Sequence, residues 1–239
     1  MLNSKPKMIM FDVGGTLFND GKFNAQDGFE KLRLSATNPE ITSSAALAEC
    51  WDEYIGDINK EFENLEIPLF AALKYTAMKT GLHIDLPTFK QEEIFDRFNS
   101  SRYVIDGVNE LLQTIKFSGI RTAVISNNMM SGESLYESLR YWIPEAEFEF
   151  CLSSADLLIK KPDNRIFEVA LNYASVDACD CVYCGDGFIP DVCGSLSCGM
   201  NAVLIDKNAE KDFEIRTHEG KEYIAVNNWF AFADYLKSL

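Results

Sequence analysis

Met8-Ile-Met-Phe11 runs directly into Asp12-Val-Gly-Gly-Thr16-Leu17. Four uninterrupted apolar residues read as a short strand buried on both faces. The acid and glycine pair that follow mark a tight turn, because Gly tolerates angles and close approaches that other residues resist. Similar runs recur at Thr122-Ala-Val-Ile125, Phe148-Glu-Phe-Cys-Leu152, Cys181-Val-Tyr-Cys184 and Ala202-Val-Leu-Ile205, each followed by a polar or Gly-rich turn. Amphipathic stretches lie between them. Gly107 to Phe117 carries Val108, Leu111, Leu112 and Ile115 on one face, and Asn164 to Tyr173 carries Ile166, Phe167, Ala170 and Leu171. This alternation predicts an α/β fold with a doubly wound parallel sheet, in which ligands bind beyond the carboxyl ends of the strands.

From Phe18 to Tyr103 the rhythm breaks. No buried strand is legible there, and helical patterns fall near Asp27 to Leu34, Ser44 to Phe62, Leu69 to Thr80 and Thr88 to Phe98. The expectation is a core of 1–17 and 104–239 with an all-helical insertion, 18–103, overhanging the ligand crevice. The aromatic residues Trp51, Tyr54, Phe62, Phe70 and Tyr75 are read as the insertion's own core.

Composition narrows the partners. The 239 residues are 47% hydrophobic and 25% charged, as in a globular chain, and no window approaches the ~20 apolar residues that cross a bilayer. The basic start, Met1 to Lys7, leads into too short an apolar run for a secretory signal, so the chain is placed in the cytoplasm. With 22 basic against 37 acidic residues, the net charge of −15 repels nucleic acid and anionic membranes. An anionic small molecule then needs a local positive group or a metal ion. His83 and His218 have no second His or Cys at ligand spacing, which argues against a zinc-type site. The seven cysteines read as reduced thiols, and Cys179, Cys181 and Cys184 as buried packing in a strand rather than a metal centre.

Chemistry-bearing residues collect just after the strands: Asp12-Val-Gly-Gly-Thr16, Ser126-Asn127-Asn128, and Gly185-Asp186 with Asp191 beyond. Lys160-Lys161-Pro162-Asp163 opens the helix before the fourth strand. Each fragment alone has an ordinary reading as a capped turn. Their succession at strand ends points to one site for a phosphoryl group and a hard divalent cation. Asp12 is the candidate nucleophile, forming an acyl phosphate that splits one displacement into two. Gly14 and Gly15 let backbone N–H groups approach the anion. Ser126 and the N–H of Asn127 bind a further phosphoryl oxygen, and Lys161 supplies fixed positive charge. Asp12 and Asp186 offer the few carboxylate oxygens that Mg²⁺ takes, with Asp191 behind them orienting Lys161 or metal waters. Nucleotide motifs fail: no G-x-x-x-x-G-K-[ST] occurs, and Pro190 stands where a dinucleotide fingerprint needs its third glycine.

Across nearly the whole chain these motifs resemble the haloacid dehalogenase-like hydrolases, in the branch with a helical cap inserted after the first strand. The resemblance rests on Phe11-Asp12-Val-Gly-Gly-Thr16-Leu17, Val124-Ile125-Ser126-Asn127, Lys161-Pro162-Asp163, and Gly185-Asp186 through Asp191. It implies a Rossmann-like core and cap, Asp12 as nucleophile, and Mg²⁺ held by Asp12, Asp186 and the carbonyl of Gly14. Phosphatases of that family carry an acid/base Asp two residues after the nucleophile, where this chain has Gly14. General acid–base catalysis is worth about 10²–10⁴-fold, so the departure leaves three readings. The first is a Mg²⁺-dependent phosphatase of a small phosphorylated metabolite. The second is a non-hydrolysing or regulatory relative that binds a phosphorylated ligand. The third is a carbon–halogen or carbon–phosphorus cleaving hydrolase. Asp20 and the cap are the possible replacements for the missing side chain.

Overall fold

The computed structural model describes residues 2, 4–61 and 65–239. The run at Met8–Phe11 forms β1, followed by β2 (Phe18–Asn19), α1 (Ala25–Leu34), α2 (Ser44–Glu61), α3 (Leu69–Thr80), α4 (Thr88–Phe98) and β3 (Tyr103–Val104). Then come α5 (Val108–Phe117), β4 (Arg121–Ser126), α6 (Gly132–Trp142), β5 (Cys151–Ser153), α7 (Ser154–Leu157), α8 (Asn164–Ala174) and β6 (Cys181–Gly185). The chain closes with α9 (Gly194–Ser197), β7 (Asn201–Ile205), β8 (Phe213–His218), β9 (Lys221–Val226) and α10 (Trp229–Lys237).

Among the described residues seven strands form one sheet in the order β5-β4-β1-β6-β7-β9-β8, parallel throughout except for β8 against β9. This is the doubly wound, Rossmann-like sheet expected from the alternating pattern. β1 is central, and its side chains alternate between two apolar layers: Ile9 and Phe11 join the cluster with α5 and α10, while Met8 and Met10 join Phe167 and Ala170 of α8. Covering both faces is what an unbroken apolar strand requires. Each fully buried large side chain contributes about 1.5–3 kcal/mol.

Among the described residues four α-helices stand between β2 and β3, and these two strands pair antiparallel, so the insertion leaves and returns side by side. Its apolar stripes (Phe29, Leu32, Trp51, Leu73, Phe95) are continuous with the cluster on one face of the sheet. Of the aromatics read as insertion core, Trp51 is buried against Phe29 and Phe95, and Tyr54 is half-buried and stacked on Tyr75. Phe70 and Tyr75 are exposed instead, because the buried stripe of α3 is Leu69, Ala72, Leu73 and Thr76 at helical spacing, and both rings fall outside it. Phe62 lies outside the described residues. Among the described residues no helix is long and apolar enough to cross a membrane.

Two further expectations need correction, and one element was not expected. The third strand begins at Cys151, not Phe148. Phe148 instead drives its ring into the core, edge-on to Phe11, although the irregular segment already pairs with β4 through Glu149 N–H to the Thr122 carbonyl. The hairpin β8–β9 was not legible, since β8 alternates apolar and polar residues on a half-exposed edge rather than showing an apolar run. Its turn places both Glu219 and Gly220 at positive φ, the geometry of a tight two-residue connection. Finally, Cys181 and Cys184 are buried but Cys179 is exposed, since it precedes β6 in a short turn.

The turn after β1 is braced from the far end of the chain. The Val13 carbonyl accepts from the N–H groups of Leu17 and Phe18, and the indole of the fully buried Trp229 donates to the Thr16 carbonyl at 2.8 Å. Trp229→Phe strands that carbonyl in the core. The expected loss is about 1–3 kcal/mol of stability in urea unfolding, with an unchanged circular dichroism spectrum.

Candidate functional site

The parallel strands β4, β1 and β6 end together, and their carboxyl ends carry Ser126, Asp12 and Asp186. A cavity of about 210 Å³ opens there, lined by Asp12, Val13, Gly14, Asp20, Arg102, Ser126, Asn127, Asn128, Lys161, Asp186, Pro190 and Asp191. Every predicted site residue except Gly15 is in that lining, and Gly15 packs directly behind Asp186.

Lys161 is the hub. Its ammonium, almost fully buried, donates to Asp12 Oδ1 at 2.7 Å, Asp191 Oδ1 at 2.6 Å and the Tyr183 hydroxyl at 2.8 Å, which uses all three of its donors. Burial alone lowers a lysine pKa, but Asp12 and Asp191 outweigh it and hold Lys161 above its ordinary value. The Tyr183 hydroxyl in turn donates a hydrogen bond to the Ile125 carbonyl at 2.6 Å, and burial keeps that phenol protonated. The Lys161 backbone is pinned as well: Asn127 Oδ1 accepts its N–H at 2.7 Å and Asn127 Nδ2 donates to its carbonyl at 3.0 Å.

The second oxygen of Asp191 accepts the Gly187 N–H at 2.8 Å, within a π-helical turn, Phe188–Cys193, that carries Asp191 inward. Two glycines make the carboxylates fit. A β-carbon on Gly185 would lie 2.3 Å from the Asp191 carboxyl carbon, and one on Gly15, at φ 72°, would lie 2.0 Å from Asp186 Oδ2. Gly14 differs, since a β-carbon there would meet only Asp20 Oδ2, at an ordinary 3.5 Å. Ser126 is buried and is among the residues that line the cavity.

Asp12, Asp186 and Asp191 each offer an oxygen within 4.8 Å of the others. Against these three carboxylates stands one ammonium, leaving a formal excess of two negative charges, which suits a divalent cation. Asp191 has both oxygens engaged by Lys161 and Gly187, so Asp12 and the exposed Asp186 are the carboxylates with capacity left to hold it. Withdrawal from water and then the nearby Asp12 raise the Asp186 pKa, the direction expected of a carboxylate lacking its counter-charge. Burial likewise raises Asp191 against the pull of Lys161.

Sequence reasoning missed three contributors. Tyr183 is a strand residue whose only signal is that a buried phenol needs a partner. Asn127 acts through its side chain on Lys161, in addition to any role of its N–H. Arg102 reaches the pocket from just before β3, and its 82-residue separation from Asp20 leaves no pattern to read.

The sequence profile of the haloacid dehalogenase-like hydrolase family matches residues 9–205, and the chain belongs to that family. It is 29% identical over 135 residues to the mouse haloacid dehalogenase-like hydrolase domain-containing protein 3, covering 56% of this chain and 53% of that one. The alignment thus spans about half the length of that relative. Similarity to a glyceraldehyde 3-phosphate phosphatase of Methanothermobacter thermautotrophicus is 26% identity over 229 residues, 86% of this chain and 89% of that one. Among solved structures, a 2-haloacid dehalogenase from Pseudomonas syringae superposes over 98% of this chain and 99% of its own with TM-score 0.62 at 20% identity, a likeness of fold.

Lys161→Met leaves Asp12 and Asp191 buried without their cation. Breaking such a pair costs about 3–5 kcal/mol, to be read by urea unfolding at neutral pH. Because Asp191 is already raised, the orphaned carboxyl takes up a proton more readily folded than unfolded. The deficit is therefore expected to be largest at neutral pH and to narrow as the pH falls.

Proposed function

We propose that the protein is a Mg²⁺-dependent phosphatase of small phosphate monoesters, acting through an aspartyl phosphate on Asp12. The observation that carries this reading is the charge arrangement: one buried ammonium fixed between two carboxylates, a third carboxylate at the rim, and an excess of two negative charges facing a polar cavity. Lys161 holds Asp12 with Oδ1 engaged, while Thr16 Oγ1 stands 3.4 Å from Oδ2, so the orientation of the nucleophile is set before substrate arrives. Ser126 and the backbone of Gly14, Gly15 and Asn127 bind phosphoryl oxygens. Asp12, Asp186 and the Gly14 carbonyl hold the Mg²⁺, and Asp191 orients Lys161. The cation, when bound, neutralises phosphoryl oxygens as charge shifts in the displacement. Residues 18–103 serve as a cap that shields the site from water and selects the substrate. The similarity to a glyceraldehyde 3-phosphate phosphatase over most of both chains supports a small phosphorylated metabolite as substrate. The seven free cysteines fit a cytoplasmic setting, and the net charge of −15 disfavours nucleic acid or anionic membrane as partner.

Gly14 favours a second reading, a relative that binds a phosphorylated ligand without hydrolysing it. Hydrolysis of p-nitrophenyl phosphate separates the two, since its leaving group hardly needs a proton. The wild type with Mg²⁺ is expected to turn it over, and Asp12→Asn or removal of the metal to lower the rate by at least about 10³-fold. Wild-type turnover no faster than Asp12→Asn would overturn the phosphatase reading in favour of ligand binding or carbon–halogen or carbon–phosphorus cleavage.

Metal binding has its own readout. At a hundred times its Kd, Mg²⁺ adds about 2.7 kcal/mol of stability, seen as a rise in Tm, and Asp186→Asn is expected to remove most of that rise.

A further inference from the structure

Transferring a phosphoryl group out of an alkyl ester leaves an oxygen that needs a proton, and hydrolysing the aspartyl phosphate needs a water relieved of one. The cavity lining contains few groups able to do either. Lys161 has committed its three donors, and Asp191 both of its oxygens. Asp12 is the nucleophile, and Asp186 faces the cation. Arg102 keeps its protons at any working pH, and its nitrogens are already spent: Nε on Asp20 Oδ1 at 2.6 Å, Nη1 and Nη2 on Asp96 at 2.9 and 3.0 Å, with Nη1 also on Ser138 Oγ at 3.1 Å. Asp20 remains. Its Oδ1 is held by Arg102, and among the described residues its Oδ2 receives no hydrogen bond. That free oxygen stands 3.5 Å from where a β-carbon on Gly14 would sit.

We infer that Asp20 is the proton-transfer residue of this site and that Arg102 positions it. The inference rests on the phosphatase reading above. In the first half, an Asp12 oxygen bonds to phosphorus and the ester P–O bond breaks with its electron pair on the leaving oxygen. That oxygen takes the proton carried by Asp20 and departs as the alcohol. In the second half, a water oxygen bonds to phosphorus, the bond between phosphorus and Asp12 breaks, and the water's proton passes to Asp20. Inorganic phosphate leaves with Asp12 and Asp20 restored. Gly14 is compatible with this arrangement, because a β-carbon there would only touch Asp20 Oδ2, at 3.5 Å, and its absence leaves that oxygen open.

The test compares wild type, Asp20→Asn and the double variant Gly14→Asp/Asp20→Ala, each full length with Mg²⁺, on monoesters from p-nitrophenyl to simple alkyl phosphates. For Asp20→Asn, kcat/KM is expected to change little on p-nitrophenyl phosphate and to fall about 10²-fold or more on alkyl phosphates. Its kcat on p-nitrophenyl phosphate is expected to fall as the aspartyl phosphate accumulates, giving a burst of nitrophenolate. The double variant is expected to regain activity on alkyl phosphates. If Asp20→Asn leaves every ester unaffected, or lowers kcat/KM on all of them equally, Asp20 transfers no proton and the inference falls, while the turnover that depends on Asp12 and Mg²⁺ keeps the phosphatase reading. A wild type as inactive as Asp12→Asn on every ester overturns both.

Discussion

The Lys161 ammonium between Asp12 and Asp191 is the interaction on which the site's geometry depends. Withdrawn from water, it is stable only because every donor is matched to an oxygen, two of them charged. That requirement reaches outward. Gly185 has to lack a side chain so that Asp191 can close on it, Asn127 has to clamp the Lys161 backbone from both sides, and Tyr183 has to relay a hydrogen bond to β4. Three adjacent strand ends are thus tied by one cation. The same pairing leaves a formal excess of two negative charges at the cavity, an environment that suits a divalent cation.

Sheet topology explains why these groups meet at all. The chain order of the strands bears no simple relation to their spatial order, but β1 is flanked by β4 and β6 with all three parallel, so their carboxyl ends emerge on one edge. At such a switch point the loops diverge and leave a crevice. The turn after β1 fills that crevice with Asp12 and the two glycines, and Trp229 of the C-terminal helix fixes its far side. Residues more than two hundred positions apart therefore share one small volume.

What could be read from sequence follows the physics of each signal. β1, β4, β6 and β7 are buried on both faces, so their apolar runs are unbroken and their boundaries fall within a residue or so of the pattern. β8 is a half-exposed antiparallel edge strand whose alternating residues show no such run. The gathering of Asp12, Ser126, Lys161, Asp186 and Asp191 around one cavity was legible because each sits at a fixed offset from a strand or helix end, and those ends emerge together. The Arg102–Asp20 pair was not, since its partners are brought together by the short β2–β3 ribbon and no local pattern encodes that pairing. The exposed rings of Phe70 and Tyr75 were misread for a related reason, since aromatic content says less about burial than position on the helical stripe does.

The insertion connects to the site through charged and polar groups as well as through its apolar face. Glu92 of α4 is buried and accepts from the hydroxyls of Ser131 and Ser134 at the start of α6, while Asp96, one turn further along α4, accepts from Ser138, one turn further along α6. Glu66 accepts from Ser154. Two matched helical turns of acid against hydroxyl set one register between α4 and α6, because a shifted register would leave carboxylates buried and unpaired. Apolar contact alone tolerates sliding; this arrangement does not. Asp96 is also the bidentate partner of Arg102, and Arg102 holds Asp20, so the register of the insertion and the position of a carboxylate in the cavity that Asp12 lines are set by one continuous set of bonds.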